Sequence, residues 1–170
     1  MSQESVTPIW DFVLNYYGRK GVSDALIGLQ DSQGIDVNML LFLMWLAGQK
    51  QSVSANDAKV VSDTSHGWQR SVVVPIRAVR RLLKDNAPLV APDAAAAFRK
   101  KVQAIELEGE QLQLNAMAAM TPKLKSAPAA SFEQAARQNI KAFEAAAAKT
   151  FPPAAVDTLA HALVEVMDGR

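Results

Sequence analysis

Apolar residues in the first third of the chain recur at helical intervals and culminate in nine consecutive apolar positions, Met39 to Ala47. A membrane span needs about 20 such residues. The shorter run, apolar on every side, therefore predicts a helix enclosed by its neighbours. The segments before it carry start and stop signals. Thr7 with Pro8 reads as a cap followed by proline at the first helical position, opening a helix that stops at Gly18. Ser23 reads as the cap of a second helix, with Val22 and Ile27 spaced as a hydrophobic staple and Gly34 as its end. Asp36 then caps the third helix, with Ile35 and Leu40 repeating the staple.

Further along, Ser54 with Asp57 is a capping-box-like start for a fourth helix, expected to fray in the polar Ser62–Gly67 stretch. A fifth helix is expected over about Trp68–Lys84 from the spacing of Val72, Ile76, Val79 and Leu83, kinked or started at Pro75. After the Asn86-Ala-Pro88 breaker, Ala91-Pro92 opens a pattern unbroken to Met120. There Phe98, Val102, Ile105, Gly109, Leu112, Ala116 and Ala119 form a heptad-like seam. Such a helix would be about 43 Å long, so part of it should project or pack lengthwise on another helix. TPKLKSAPAAS reads as a linker. Ser131 with Gln134 caps a helix through Lys149, Pro152-Pro153 breaks it, and a last helix presents Val156, Leu159, Leu163 and Val166. The fold class is all-α: a front bundle (1–86), a long helix (92–120) and a C-terminal hairpin (131–168). The alanine-rich hairpin is expected to dock on the bundle or on a second subunit, because alanine favours helix but contributes little burial.

Composition narrows the chemistry. The 170 residues include no cysteine and two histidines, which removes disulfides, thiolate zinc sites and a cysteine nucleophile. The start, MSQESVTP, has neither the basic nor the apolar region of a secretory signal, so a cytoplasmic location without membrane insertion is expected. Net charge is +1 but uneven: residues 1–68 carry 4 basic and 7 acidic groups, 69–101 carry 8 and 2, and 102–170 carry 6 and 8. The middle segment therefore concentrates positive charge, which bears on partners rather than on fold.

That segment supplies the main candidate surface. Arg70, Arg77, Arg81 and Lys84, with Arg80 at the edge, line one side of the fifth helix opposite its apolar positions, and Arg99, Lys100 and Lys101 add a second cluster. The stripe reads either as an ordinary solvated face, partly paired with Glu106, Glu108 and Glu110, or as an anion-binding surface for an acidic protein, RNA or DNA. No aromatics interleave the cations as single-strand binders require. A second candidate is polar. Asp36 is explained as a cap, and Asn38 as a buried hydrogen-bonding group where the second and third helices meet. Asp31 sits in the last turn of its helix, where the macrodipole disfavours an anion; a salt bridge to Arg19 or Lys20 is the plain account. His66 and Trp68 are grouped with these, and the Trp68 indole is expected to find an acceptor. The spacing of Asp31, Asp36 and Asn38 matches no calcium loop, no phosphate loop or dinucleotide fingerprint is present, and Ser62, Ser65 and His66 match no nucleophile elbow. No metal and no cofactor are expected.

The pattern WDF…LQDxxGxDVNxLLF, running from Trp10 to Phe42 and followed by Trp45, resembles an uncharacterised proteobacterial family of small cytoplasmic proteins, the domain-of-unknown-function family numbered 2390. The resemblance covers roughly the first half of the chain and implies no activity. Together these features lead to a non-enzymatic interaction or accessory protein acting on a protein partner or by self-association. A nucleic-acid-associated factor and an enzyme with a site near Asp31 are the alternatives. On this reading, Arg77→Glu with Arg81→Glu should leave the melting temperature within a few degrees while abolishing capture of the partner.

Overall fold

In the computed structural model, which describes residues 7–85 and 89–169, the chain is all-α apart from one minimal β-pair. The MSQESV start and the Asn86-Ala-Pro88 breaker lie outside the described residues. The front helices are α1 (Ile9–Tyr17), α2 (Val22–Gln33) and α3 (Val37–Ala47). All of α3 from Asn38 to Ala47 is buried except Trp45, whose ring is partly covered and whose indole N–H donates to the Thr7 carbonyl. The Asp36 carboxylate accepts the Asn38 backbone N–H, so the expected cap is present.

Local signals shifted in two places. Pro8 rather than Thr7 stands at the N-cap of α1, without a side-chain hydrogen bond. Gly21, at φ 81°, precedes α2, so Ser23 lies within the helix; Ile27 is exposed and cannot staple to Val22. At the far end Gly34, at φ 67°, closes α2 in the left-handed conformation that suits glycine.

The larger correction concerns the middle of the chain. α4 (Ala55–Trp68) does not fray at the polar stretch, because its side chains bond back into their own helix. The Thr64 hydroxyl donates to the Val60 carbonyl, and Lys59 pairs with Asp63 one turn on. The helix then continues through a widened π turn, Gln69–Val73, into α5 (Val74–Asp85). Pro75 explains the widening. It has no N–H for the Ser71 carbonyl and its ring crowds that carbonyl, so the ladder skips a residue instead of breaking.

α6 (Pro92–Ala118) is a single 27-residue helix packed lengthwise against α5 and against α1 and α3. The expected seam divides: Val102 and Gly109 are buried, whereas Phe98, Ile105 and Leu112 are exposed. Glu106 and Gln113 beside the seam are buried polar residues. The linker holds one 3₁₀ turn and β2 (Ala127–Pro128), which pairs antiparallel with β1 (Gln51–Ser52). α7 (Phe132–Ala147) and α8 (Pro153–Met167) share one hydrophobic cluster with α1–α4. Two buried polar contacts link them to the front helices: the Tyr16 hydroxyl donates to the Leu159 carbonyl, and Asn139 bridges α7 to α3 and β1. No helix among the described residues is long and apolar enough to cross a membrane.

Candidate functional site: a groove over a buried arginine

A groove of about 490 Å³ runs between α1 and α2 on one side and α5 and α6 on the other. Its volume falls in the range of ligand pockets, roughly 300–1,000 Å³. Trp10, Leu14 and Tyr17 face it from α1, Ile27 and Gln30 from α2, and Leu107 from α6. The register of α1 explains the first group. Ile9, Phe12, Val13 and Tyr16 take the core side, which leaves Leu14 and Tyr17 at the exposed edge of the groove.

The floor is an ion network. Arg77 leaves α5 and donates Nε to Glu106 (2.8 Å), one terminal nitrogen to the Gln30 side-chain oxygen (2.7 Å) and the other to Glu110. Arg80, one turn on, pairs with the same Glu106 through its Nε. The Arg77 and Glu106 side chains are only 15% and 5% exposed. Burial opposes the charge on each, but the opposite charges and hydrogen bonds prevail: Glu106 ends below its usual range and Arg77 above its own. Glu110 comes out differently. Burial pushes its pKa up, Arg77 pulls it down, and the neighbouring Glu106 charge adds to the rise, so the net shift is upward. Tyr17 at the rim is also raised, by burial and then by Glu110.

Behind this floor Gln113 joins two of the sequence candidates. It donates to the Asp36 carboxylate (2.6 Å) and accepts from Asn38 (2.8 Å). Asn38 therefore fixes α3 against α6, not α2 against α3. Burial raises the Asp36 pKa against the lowering effect of the hydrogen bonds it accepts from the Asn38 backbone N–H and the Gln113 amide, and of Arg77.

The basic stripe is not a uniform free face. Arg77 and Arg80 turn toward α6, while Val79, expected on the packed side, is exposed. The π turn reaches α6 through buried Val73, which lies by Gly109, and the partly buried residues of α5 are Ile76, Arg77, Arg80 and Leu83. Arg70 and Lys84 are exposed on the helix, as are Lys100 and Lys101 on α6, and Arg99 is partly buried. Arg81 lies at the groove edge 3.5 Å from Asp31, so the partner of Asp31 is this arginine rather than Arg19 or Lys20. His66 is exposed on α4 and does not line the groove, and neither does Asp31. Trp68 is partly exposed, and its indole N–H donates to the Gly109 carbonyl (2.9 Å), the acceptor its chemistry requires. No group of three or more metal-ligating side chains occurs among the described residues.

The sequence offers Glu106 and Glu110 as partners for the stripe, and both pair with it; Gln113 and Gln30 were not singled out. One signal was available: Glu106, Glu110 and Gln113 recur at four and three residues, matching the three- and four-residue steps of Arg77, Arg80 and Arg81 on the helix that precedes. A row of arginines and a row of two glutamates and a glutamine on consecutive helices point to pairing across their interface.

A family model described as a protein of unknown function (DUF2390) matches residues 8–117. The chain belongs to this family. No curated protein and no solved structure matches it. The family region runs from the start of α1 almost to the end of α6 and holds every residue of the groove and its network, whereas α7 and α8 lie outside it.

The opposite shifts of Glu106 and Glu110 predict a stability profile with a maximum on the acid side. A carboxylate raised in the fold binds its proton more tightly there, so acidification toward the ordinary value of 4.5 stabilises through Glu110. Glu106, held low, contributes stability above 4.5 that is lost as pH falls through its folded value. Urea midpoints measured against pH should rise from neutrality toward 4.5 and fall below it, and Glu110→Gln should reduce the rise to the part that the raised Asp36 supplies while keeping the acid limb. A steady decline from pH 7 would contradict the upward shift.

Proposed function

We propose that this is a non-enzymatic cytoplasmic interaction protein whose groove holds an apolar-anchored helical segment of a protein partner. The observation that carries the reading is the engagement of Arg77. Every nitrogen of its guanidinium already donates to a side chain of the same chain, so the floor is neutralised and offers no free fork for a phosphate. What the groove presents outward is Leu14, Ile27 and Leu107, all exposed. Phosphate binding draws on unpaired cations, and a floor of paired charges beneath an apolar rim suits instead the apolar face of an amphipathic helix. The carboxylates of the floor are bridged by arginines, and Asp31 and His66 do not share a cleft, which favours binding over catalysis.

Selection from a displayed library of amphipathic peptides tests this. Binders should protect α1, α2 and α6 amides around the groove from hydrogen exchange, keep their affinity as salt is raised, and be lost in Leu107→Glu with the melting temperature unchanged. If no selected peptide depends on Leu107, or if mixed-sequence RNA binds with an affinity that falls steeply with salt, the groove reading fails and the nucleic-acid alternative gains.

A further inference from the structure

α6 has a second face that the groove does not use. At 3.6 residues per turn, Phe98, Ile105 and Leu112 form one stripe nearly opposite Leu107, the groove residue of the same helix. Their exposures are 55%, 54% and 52%. Between this stripe and the rest of the subunit lie buried Val102 and Gly109, and Trp68, itself 40% exposed, reaches the Gly109 carbonyl within the same stretch of helix. Large apolar side chains repeating every seven residues form the seam of a left-handed helix pair, yet all three stay exposed among the described residues.

The charges beside the stripe indicate what does. Lys101 and Glu108 flank Ile105, the midpoint between Phe98 and Leu112, at four residues before it and three after, and both are exposed. Neither forms an ion pair among the described residues. Suppose a second copy lies antiparallel with a two-fold axis at Ile105. Phe98 then meets Leu112 of the other copy, Ile105 meets Ile105, and each Lys101 lies beside a Glu108. A parallel copy would set Lys101 against Lys101 and Glu108 against Glu108, which is repulsive. We propose that the outer face of α6 is a homodimer interface, formed by two copies of α6 packed antiparallel about Ile105. An isologous two-fold contact of this kind is self-complementary and closes.

The absence of cysteine makes the geometry directly readable. In the full chain, Ile105→Cys should give a covalent dimer on mild oxidation or with a short bis-maleimide linker. Phe98→Cys alone should not, because the two copies of residue 98 would lie about 21 Å apart along the helix axes. A mixture of Phe98→Cys and Leu112→Cys chains should form the crossed dimer. Sedimentation equilibrium of the parent chain should show reversible dimerisation between micromolar and millimolar concentration, weakened at least tenfold by Lys101→Glu and restored by adding Glu108→Lys to the same chain. All of these positions are exposed, so circular dichroism should be unchanged. Self-cross-linking of Phe98→Cys at the rate of Ile105→Cys would overturn the antiparallel arrangement, and a chain that stays monomeric throughout the range would overturn the interface. Neither outcome bears on peptide binding at the groove, which lies on the other side of α6.

Discussion

Arg77→Met will cost the fold about 3–5 kcal/mol, the range for removing one partner from a buried ion pair. The substitution preserves the length of the side chain and its apolar contacts, so the loss comes from what it strands. Glu110 loses its cation, the Gln30 oxygen loses its donor, and Glu106 is left with Arg80 alone. At roughly 2–4 °C per kcal/mol for a domain of this size, the melting temperature should fall by about 6–20 °C, with a matching drop in the denaturant midpoint. Adding Glu110→Gln removes the uncompensated charge and should recover part of the loss, since neutral replacements of buried pairs are often tolerated. A loss below about 1 kcal/mol would show that the network is worth no more than a surface pair.

The same contacts reverse the expectation for charge reversal. Seen only as a stripe on one helix, Arg77 and Arg81 should tolerate replacement by glutamate. In the fold, Arg77→Glu places a third carboxylate against Glu106 and Glu110, and Arg81→Glu faces Asp31. The double variant should therefore fail to fold, and Arg81→Glu alone, at an exposed pair, should leave stability within about 1 kcal/mol.

The fold was largely legible because its signals are local. Asp36, Ser54 and Ser131 each accept the backbone N–H expected of a cap, and the unbroken apolar run of α3 could only be central. Where local rules compete, the reading slipped. Ser62–Gly67 is polar enough to suggest a loop, but its hydroxyls turned back onto their own helix, and Pro75 was absorbed by a π turn instead of a break. The candidate site was half legible. Arg77, Arg80, Asp36 and Asn38 were all marked, but their meaning depends on Glu106, Glu110 and Gln113, 26 to 77 residues away. Those residues lie on α6 beside positions whose heptad spacing drew attention to the opposite face. Periodicity finds an apolar stripe; it does not say which of two adjacent stripes meets the subunit.

Asn139 illustrates a kind of residue that pattern cannot find. It sits inside α7 in an alanine-rich segment with no motif around it, and it is completely buried. Its side-chain oxygen accepts the Val53 N–H at 2.9 Å, and its amide donates to the Leu43 and Gln51 carbonyls at 3.0 Å each. The Leu43 carbonyl lies inside α3, whereas the Gln51 and Val53 groups belong to the chain as it passes through β1 and turns toward α4, where no regular ladder is available beyond one two-residue strand pair. Asn139 substitutes for that ladder and ties the family region to the hairpin. Asn139→Leu keeps roughly the volume and removes all three bonds, leaving the Gln51 carbonyl and the Val53 N–H without this partner at about 1–3 kcal/mol apiece, less whatever water recovers. A total loss of about 3–5 kcal/mol is expected, with hydrogen exchange accelerating first at Gln51 and Val53. Asn139→Asp separates the roles: it keeps the acceptor for Val53 but loses both donors and buries a charge, and it should be at least as damaging at neutral pH while improving on acidification as the carboxyl is protonated. If Asn139→Leu melts within a degree or two of the parent, the connection from α3 to α4 is held by packing of the surrounding helices and not by this side chain.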